Sequence, residues 1–176
     1  MAAQKQATMA YLMKVKLIVG VALAAILAAA ALLMQRPIAP QVTFATLSGE
    51  TLRTADLRGK VLLVNFWATS CVVCLKEMPG MVQTYKKFAP RGYEMIAVAM
   101  SHDHPNQVAD FVQRRALPFK VALDGSGAVA RSFGNVRVTP TSFLIDRQGR
   151  IVKHYIGTPD WAEFHALVDK ALEDPA

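Results

Sequence analysis

Phe66-Trp67-Ala68-Thr69-Ser70-Cys71-Val72-Val73-Cys74 contains both cysteines of the 176-residue chain. The unbroken apolar run Val61-Leu62-Leu63-Val64-Asn65-Phe66-Trp67 leads into it, as a central strand covered on both faces requires. An amphipathic pattern follows to about Phe88, so the cysteines fall where a strand gives way to a helix. Two cysteines spaced C-x-x-C can close a small disulfide within the first helical turn. There, unpaired N–H groups and the positive end of the helix dipole favour a thiolate on the first sulfur. A structural zinc site wants four ligands, and the chain has no second cysteine pair. A structural staple gains most by closing a long loop, and this one closes almost none. The pair reads as a thiol–disulfide redox site.

Outward from the cysteines, Pro79 inside the helix predicts a kink. Glu94 to Met100 reads as a second buried strand, Pro105 to Ala116 as a helix, and Phe119 to Leu123 as a short strand. Asp124-Gly125-Ser126-Gly127 is a turn before a short helix from Ala128 to Phe133. Thr141–Ile145 and Ile151–Tyr155 form a hairpin across Asp146-Arg147-Gln148-Gly149. A last amphipathic helix spans Asp160 to Leu172, capped by Thr158 or Asp160. Upstream, Val42 to Leu47 alternates, turns at Ser48-Gly49-Glu50 and returns through Thr51-Leu52-Arg53 as a hairpin. Strands alternating with helices and closing on a hairpin give an α/β domain, a mixed central sheet with helices on both faces.

The head of the chain is different. Residues 17–34 hold no charge and no proline, and at 1.5 Å per residue such a helix is about 27 Å long, near the thickness of a bilayer core. Lys5, Lys14 and Lys16 precede it and only Arg36 closely follows, a bias that keeps the N-terminus cytoplasmic. The expected division is a cytoplasmic segment 1–16, a transmembrane signal-anchor 17–34, a stiff linker 35–41 through Pro37-Ile38-Ala39-Pro40, and a folded domain 42–176. The alternative is a cleaved signal peptide, with small residues around Ala28–Ala31 offering a cut. Both place the domain across the inner membrane, on the periplasmic side. Of the net charge of +7, residues 1–36 supply +4, which leaves +3 for the rest. No basic stripe with interleaved aromatics occurs in the body, so nucleic acid is not an expected partner.

The stretch from Val64 to Cys74, the helix residue Pro79, and Val138-Thr139-Pro140-Thr141-Ser142-Phe143-Leu144-Ile145-Asp146 together resemble the thioredoxin superfamily. The leading hairpin, the extra strand and helix around 119–133 and the apolar head narrow this to a resemblance to the TlpA/ResA-like membrane-anchored thiol–disulfide oxidoreductases. The resemblance covers nearly all of residues 40–174. It implies a thioredoxin-like fold with an N-terminal β extension and a central insert. It also implies reduction of client disulfides outside the inner membrane, in cytochrome c maturation or copper-oxidase assembly, with electrons from a membrane thiol carrier. No cofactor or resident metal is implied.

Cys71, nearer the helix start, is the expected attacking thiolate, and Cys74, one turn in, the resolving thiol. Val72 and Val73 offer no charge or hydrogen bond to a thiolate, which suits a reductant. They read equally as tolerated small apolar residues or as an adhesive rim for partners. Pro140 matches the family's cis-proline; from composition alone it would pass as a strand-start proline. The resemblance assigns substrate binding to Thr139, Pro140 and Trp67, with Trp67 an apolar wall beneath the site. Asn65 stands where thioredoxin carries a buried acid, so Glu77, one turn beyond Cys74, is the candidate proton acceptor; otherwise it is a solvated helix residue. Ser70 replaces the aromatic residue many relatives have before the first cysteine.

His102-Asp103-His104 reads as a solvated loop, with copper or zinc binding through Met78 or Met100 as the alternative. His154 and His165 read as surface residues, and Met81, Tyr85 and Phe88 as core. Two other functions remain open at this point: a periplasmic copper-binding metallochaperone and a peroxiredoxin-like peroxidase. Against the last, the Pro-x-x-x-Thr-x-x-Cys motif is absent, since Thr69 lies two residues before Cys71 and position 66 is Phe66.

Overall fold

The computed structural model describes residues 16, 19–25 and 36–174. Of the membrane span expected over 17–34, all but residues 19–25, which are helical, lies outside the described residues, as does nearly all of segment 1–16. Among the described residues no helix is long and apolar enough to cross a membrane.

Seven strands and four helices follow in the order β1 (Thr43–Ala45), β2 (Thr51–Arg53), β3 (Val61–Trp67), α1 (Val72–Phe88), β4 (Tyr93–Ala99), α2 (Pro105–Arg115), β5 (Lys120–Leu123), α3 (Ala128–Ser132), β6 (Thr141–Ile145), β7 (Ile151–Ile156) and α4 (Trp161–Glu173). The main sheet has the order β5-β4-β3-β6-β7. β4 runs parallel to both β3 and β5, whereas β6 is antiparallel to β3 and β7. The expected mixed sheet and thioredoxin-like arrangement are therefore present. Every residue of β3 and of β4 is buried, which is why both read as apolar runs rather than as alternating strands.

Alternation along β3 sorts the core into two halves. Val61, Leu63 and Trp67 face Met81 and Phe88 of α1, Val108 of α2 and Phe164 and Val168 of α4. Leu62, Val64 and Phe66 face Phe44 of β1, Leu57, Val129 and Ala130 of α3, and Phe133. Helices thus lie on both faces, but the second face is covered as much by the N-terminal hairpin as by the one short helix. The hairpin also guards an edge: Thr46 bridges Ala122, and Leu47 N–H bonds the Val121 carbonyl of edge strand β5.

Within the stretch expected as a stiff linker, residues 37–39 pair with the folded domain. Ile38 bridges Arg150, Ala39 N–H bonds the Gly149 carbonyl, and Ile151 N–H bonds the Pro37 carbonyl. Ala39 is buried, and the folded unit begins at Pro37, ahead of the expected boundary at 42. α1 is assigned as one helix through Pro79. For α4 the choice of cap is resolved: the Asp160 carboxylate accepts from Glu163 N–H at 2.9 Å.

Candidate active site

β3 and β4 end side by side, with Met100 N–H bonded to the Trp67 carbonyl at 3.0 Å, and the site lies beyond their carboxyl ends. Ala68 to Cys71 form a turn closed by Cys71 N–H on the Ala68 carbonyl at 3.1 Å. Cys71 is then the N-cap of α1, with extended backbone angles, and its sulfur accepts from Cys74 N–H at 3.2 Å. Cys71 and Cys74 form a disulfide with Cα atoms 5.2 Å apart. Cys71 is half-buried and Cys74 has no exposed surface, so a partner can reach only the first sulfur without the helix moving.

Across from the disulfide, the Thr139–Pro140 bond is cis. The Thr139 carbonyl lies 3.5 Å from Cys71 Sγ. Bonded to Cys74, that sulfur has no proton to give; in the dithiol its S–H can point at this carbonyl. Thr141 Oγ1 donates to the Val138 carbonyl at 2.7 Å and Gly157 N–H to the Pro140 carbonyl at 2.8 Å, which hold the segment against β7. Around the sulfur the surface is apolar and open: Val72 is 63% exposed and Val138 57%. A hollow of about 240 Å³ continues from Val138 to Phe133, Arg137 and Ile156.

Glu77 is not a solvated helix residue. It is 3% exposed, on the face of α1 that meets the sheet. Alternation places Asn65 on that same face, and Asn65 Nδ2 donates to Glu77 Oε1 at 3.1 Å and to Ser142 Oγ at 2.9 Å. Glu77 Oε2 and Asn65 Oδ1 are buried without a hydrogen bond of good geometry. Loss of water raises the Glu77 pKa from 4.5 to about 7, the Asn65 amide and then the Thr158 hydroxyl holding it back less strongly. A carboxyl that changes charge near neutral pH, one helical turn from the buried sulfur, is suited to taking and returning a proton.

Trp67 has no exposed surface and packs against Phe111, ring centroids 5.3 Å apart. It cannot touch a bound polypeptide, so the expectation of substrate contact does not hold for its side chain; it is a wall beneath the site. Two residues at the site were not anticipated in their present role. Ser142 completes the Asn65 network, and Asp103 grips Thr69: Oδ2 accepts from Thr69 N–H at 2.6 Å and Oδ1 from Thr69 Oγ1 at 2.5 Å. The polar Asn65 inside an apolar run was the one signal of the network available in sequence.

His102 and His104 are exposed, and Met78 and Met100 belong to opposite faces of the sheet. Among the described residues no group of three or more His, Cys, Asp or Glu stands where it could hold a metal. His154 stacks on Phe143 with centroids 4.3 Å apart. His165 departs from the surface role expected of it: half-buried, it pairs through Nε2 with Thr84 Oγ1 at 2.8 Å, and burial lowers its pKa.

The sequence profile of the Redoxin family matches residues 35–170. The chain is 39% identical over 119 residues to the thiol-disulfide oxidoreductase ResA of Bacillus anthracis, covering 68% of each chain. It is 34% identical over 127 residues to ResA of Bacillus subtilis, covering 72% of this chain and 70% of that one. The crystal structure of a thioredoxin-family thiol:disulfide interchange protein from Chlorobium tepidum superposes with a TM-score of 0.71 at 30% identity, over 78% of this chain and 97% of that one.

Proposed function

The chain belongs to the Redoxin family and is a TlpA/ResA-like thiol–disulfide oxidoreductase of the thioredoxin superfamily, and from that premise we propose that it works as a reductant of client proteins on the periplasmic face of the inner membrane. The observation that carries the reading is the Cys71–Cys74 pair at the start of α1, with only Cys71 reachable and Glu77 buried behind Cys74.

In the forward direction the Cys71 thiolate attacks one sulfur of a client disulfide. That S–S bond breaks, a mixed disulfide forms on Cys71, and the released client sulfur leaves as a thiolate and takes up a proton. Cys74 gives its proton to Glu77 and attacks Cys71 Sγ, which frees the second client thiolate, and Glu77 returns its proton so that this sulfur also leaves as a thiol. The client ends with two electrons and two protons more, and the protein ends with the Cys71–Cys74 disulfide. A dithiol carrier in the membrane restores the reduced form. Thr139 and Pro140 hold the client backbone beside Cys71, with Val72, Val73 and Val138 as an apolar rim. The apolar residues 17–34 tether the domain, Lys14 and Lys16 remaining on the cytoplasmic side. Clients serving cytochrome c maturation or copper-oxidase assembly fit that location.

Cys74→Ala stalls the reaction at the mixed disulfide and accumulates covalent adducts with cysteine-bearing partners. Cys71→Ala accumulates none. The reductant direction is checked by equilibration with glutathione. A reduction potential as high as about −120 mV, the range of a strong oxidant, overturns it.

A further inference from the structure

We propose that Asp103 is a positioning residue for Cys71: it clamps the turn that delivers the nucleophile and places a fixed negative charge there, so that Cys71 is a weaker acid than its seat at a helix N-terminus alone would make it. The inference rests on the nucleophilic role of Cys71 given above.

The clamp follows from the register of two strands. Trp67 is opposite Ala99, and Met100 N–H bonds the Trp67 carbonyl, so the chain leaves β3 and β4 at the same place. Asp103 N–H bonds the Met100 carbonyl at 2.9 Å, a tight turn that brings its carboxylate back onto β3's exit. Both oxygens are used on Thr69, one on the backbone N–H and one on the hydroxyl. From the other side, Cys71 N–H holds the Ala68 carbonyl. The three residues between strand and nucleophile, Ala68 to Ser70, are therefore fixed at both ends, by their own turn and by a side chain from a different loop.

The charge is the second consequence. Both carboxylate oxygens of Asp103 are accepting positions turned onto the segment that precedes Cys71. A carboxylate bound to Thr69, itself two residues before the Cys71 thiol, disfavours the thiolate, while the helix N-terminus favours it. Among the described residues Asp103 makes no ion pair. The other charged and titratable groups of the surrounding elements are His102 and His104 on its own loop, Lys76 on α1, Asp110, Arg114 and Arg115 on α2 and Arg131 of α3 beside Ser101, all exposed, with Asp124 and Glu77 buried. Val72 and Val73 contribute no charge. A weaker acid at Cys71 leaves the thiolate less stable and the dithiol a better reductant, which gives the loop a function that its two exposed histidines do not.

The test measures the acidity of Cys71 directly, by the pH dependence of its alkylation with iodoacetamide in the reduced protein. Asp103→Asn retains one acceptor and removes the charge; the Cys71 thiol is expected to become more acidic by about half a unit, with alkylation at pH 6 about three-fold faster. Thr69→Val removes the hydroxyl bond and keeps the charge, and is expected to leave that pKa unmoved. The Asp103→Asn difference should also shrink between 10 mM and 1 M salt, on the scale of screening. An unchanged pKa in Asp103→Asn, or an equal change in Thr69→Val, overturns the proposal; should Asp103→Asn not fold, Asp103→Ser is read by the same criteria. Alkylation needs no client, so this result is independent of whether the protein reduces one. If Cys74 is alkylated before Cys71, it is the assignment of the nucleophile that fails.

Discussion

Two glutamates are buried in this domain, and their surroundings are opposites. Glu77 lies over β3 beside Asn65, one helical turn from Cys74, with the Asn65 amide on Oε1, the Thr158 hydroxyl as a weaker donor and no hydrogen bond of good geometry on Oε2. Glu94 lies near the start of β4 and is fully compensated. Its Oε2 meets Lys120 at 3.2 Å and Lys60 at 3.6 Å, and its Oε1 accepts from Met95 N–H at 3.1 Å and Tyr85 OH at 3.4 Å. Both are nearly excluded from water, at 3% and 5% exposure, so burial alone does not separate them. What separates them is the supply of partners. A buried carboxylate given cations and donors is a structural group; one given half of what it needs is held near the point of protonation.

The largest effect expected from breaking this contrast is at Glu77→Gln. The amide keeps the shape and cannot ionise. If Glu77 takes the proton from Cys74, resolution of the mixed disulfide should slow by about 100-fold near pH 7, and the rise of rate through pH 7 should vanish. Stability should change in the opposite sense. The folded carboxyl titrates near 7 and the unfolded one near 4.5, so the native state binds the extra proton between those values. Wild-type stability therefore falls as pH rises from about 4.5 to 7, by about 3 kcal/mol in total, and is flat above. Glu77→Gln should lose that slope and be the more stable protein at pH 8. Urea unfolding at pH 5 and pH 8 reads both signs; parallel curves for the two proteins would remove Glu77 from the account.

The next effect asks whether the close packing of α1 on α4 helps keep water from Glu77. Gly80, one turn further along the same face of α1, has Trp161 of α4 so close that an added Cβ would stand 2.3 Å from its ring. Gly80→Ala should force α4 outward at a cost of about 2 kcal/mol. Water admitted there should bring the Glu77 pKa down toward its ordinary range. A shift of the pH–stability slope to lower pH, seen in the same urea series, is the expected signature.

This tertiary dependence also marks what could be read from sequence. The buried strands were legible because a strand covered on both faces is predominantly apolar, and the runs around Val61–Trp67 and Glu94–Met100, each with one polar residue, match strands Val61–Trp67 and Tyr93–Ala99. The cysteine pair was legible from spacing and its strand–helix setting. Glu77 was legible as a candidate and not as a buried group, because Lys76 beside it is exposed and its partners Asn65 and Thr158 are far from it in the chain. Pro37-Ile38-Ala39-Pro40 has a linker's composition, yet its backbone pairs with Gly149, Arg150 and Ile151, a long-range match with no local pattern. Asp103 escaped for the same reason: its partner Thr69 lies 34 residues away, and only the register of β3 on β4 brings them together.

At the other glutamate the effects should be smaller, because its lysines can return to water. Glu94→Gln exchanges an acceptor for an amide whose N–H₂ must face Lys120, Lys60 or Met95 N–H, all donors. About 1–2 kcal/mol should be lost, with no change in alkylation or exchange at Cys71. A redox phenotype in Glu94→Gln would mean that the two ends of the sheet are coupled and that the contrast is not local.

The smallest effect divides Glu94's two cations. Lys120 is the nearer and the less exposed, its side chain 31% accessible at 3.2 Å, against 49% at 3.6 Å for Lys60. An exposed ion pair contributes between zero and about 1 kcal/mol and is screened by salt, and the penalty for removing one cation is limited while the other remains. Lys60→Ala should therefore cost about 0.3 kcal/mol and Lys120→Ala about twice that. The double variant should cost more than their sum, since only then is the buried carboxylate left without a cation. If the double variant merely adds the two single effects, backbone Met95 N–H and the Tyr85 hydroxyl suffice to hold Glu94. Partner supply would then distinguish it from Glu77 through hydrogen bonds rather than through charge.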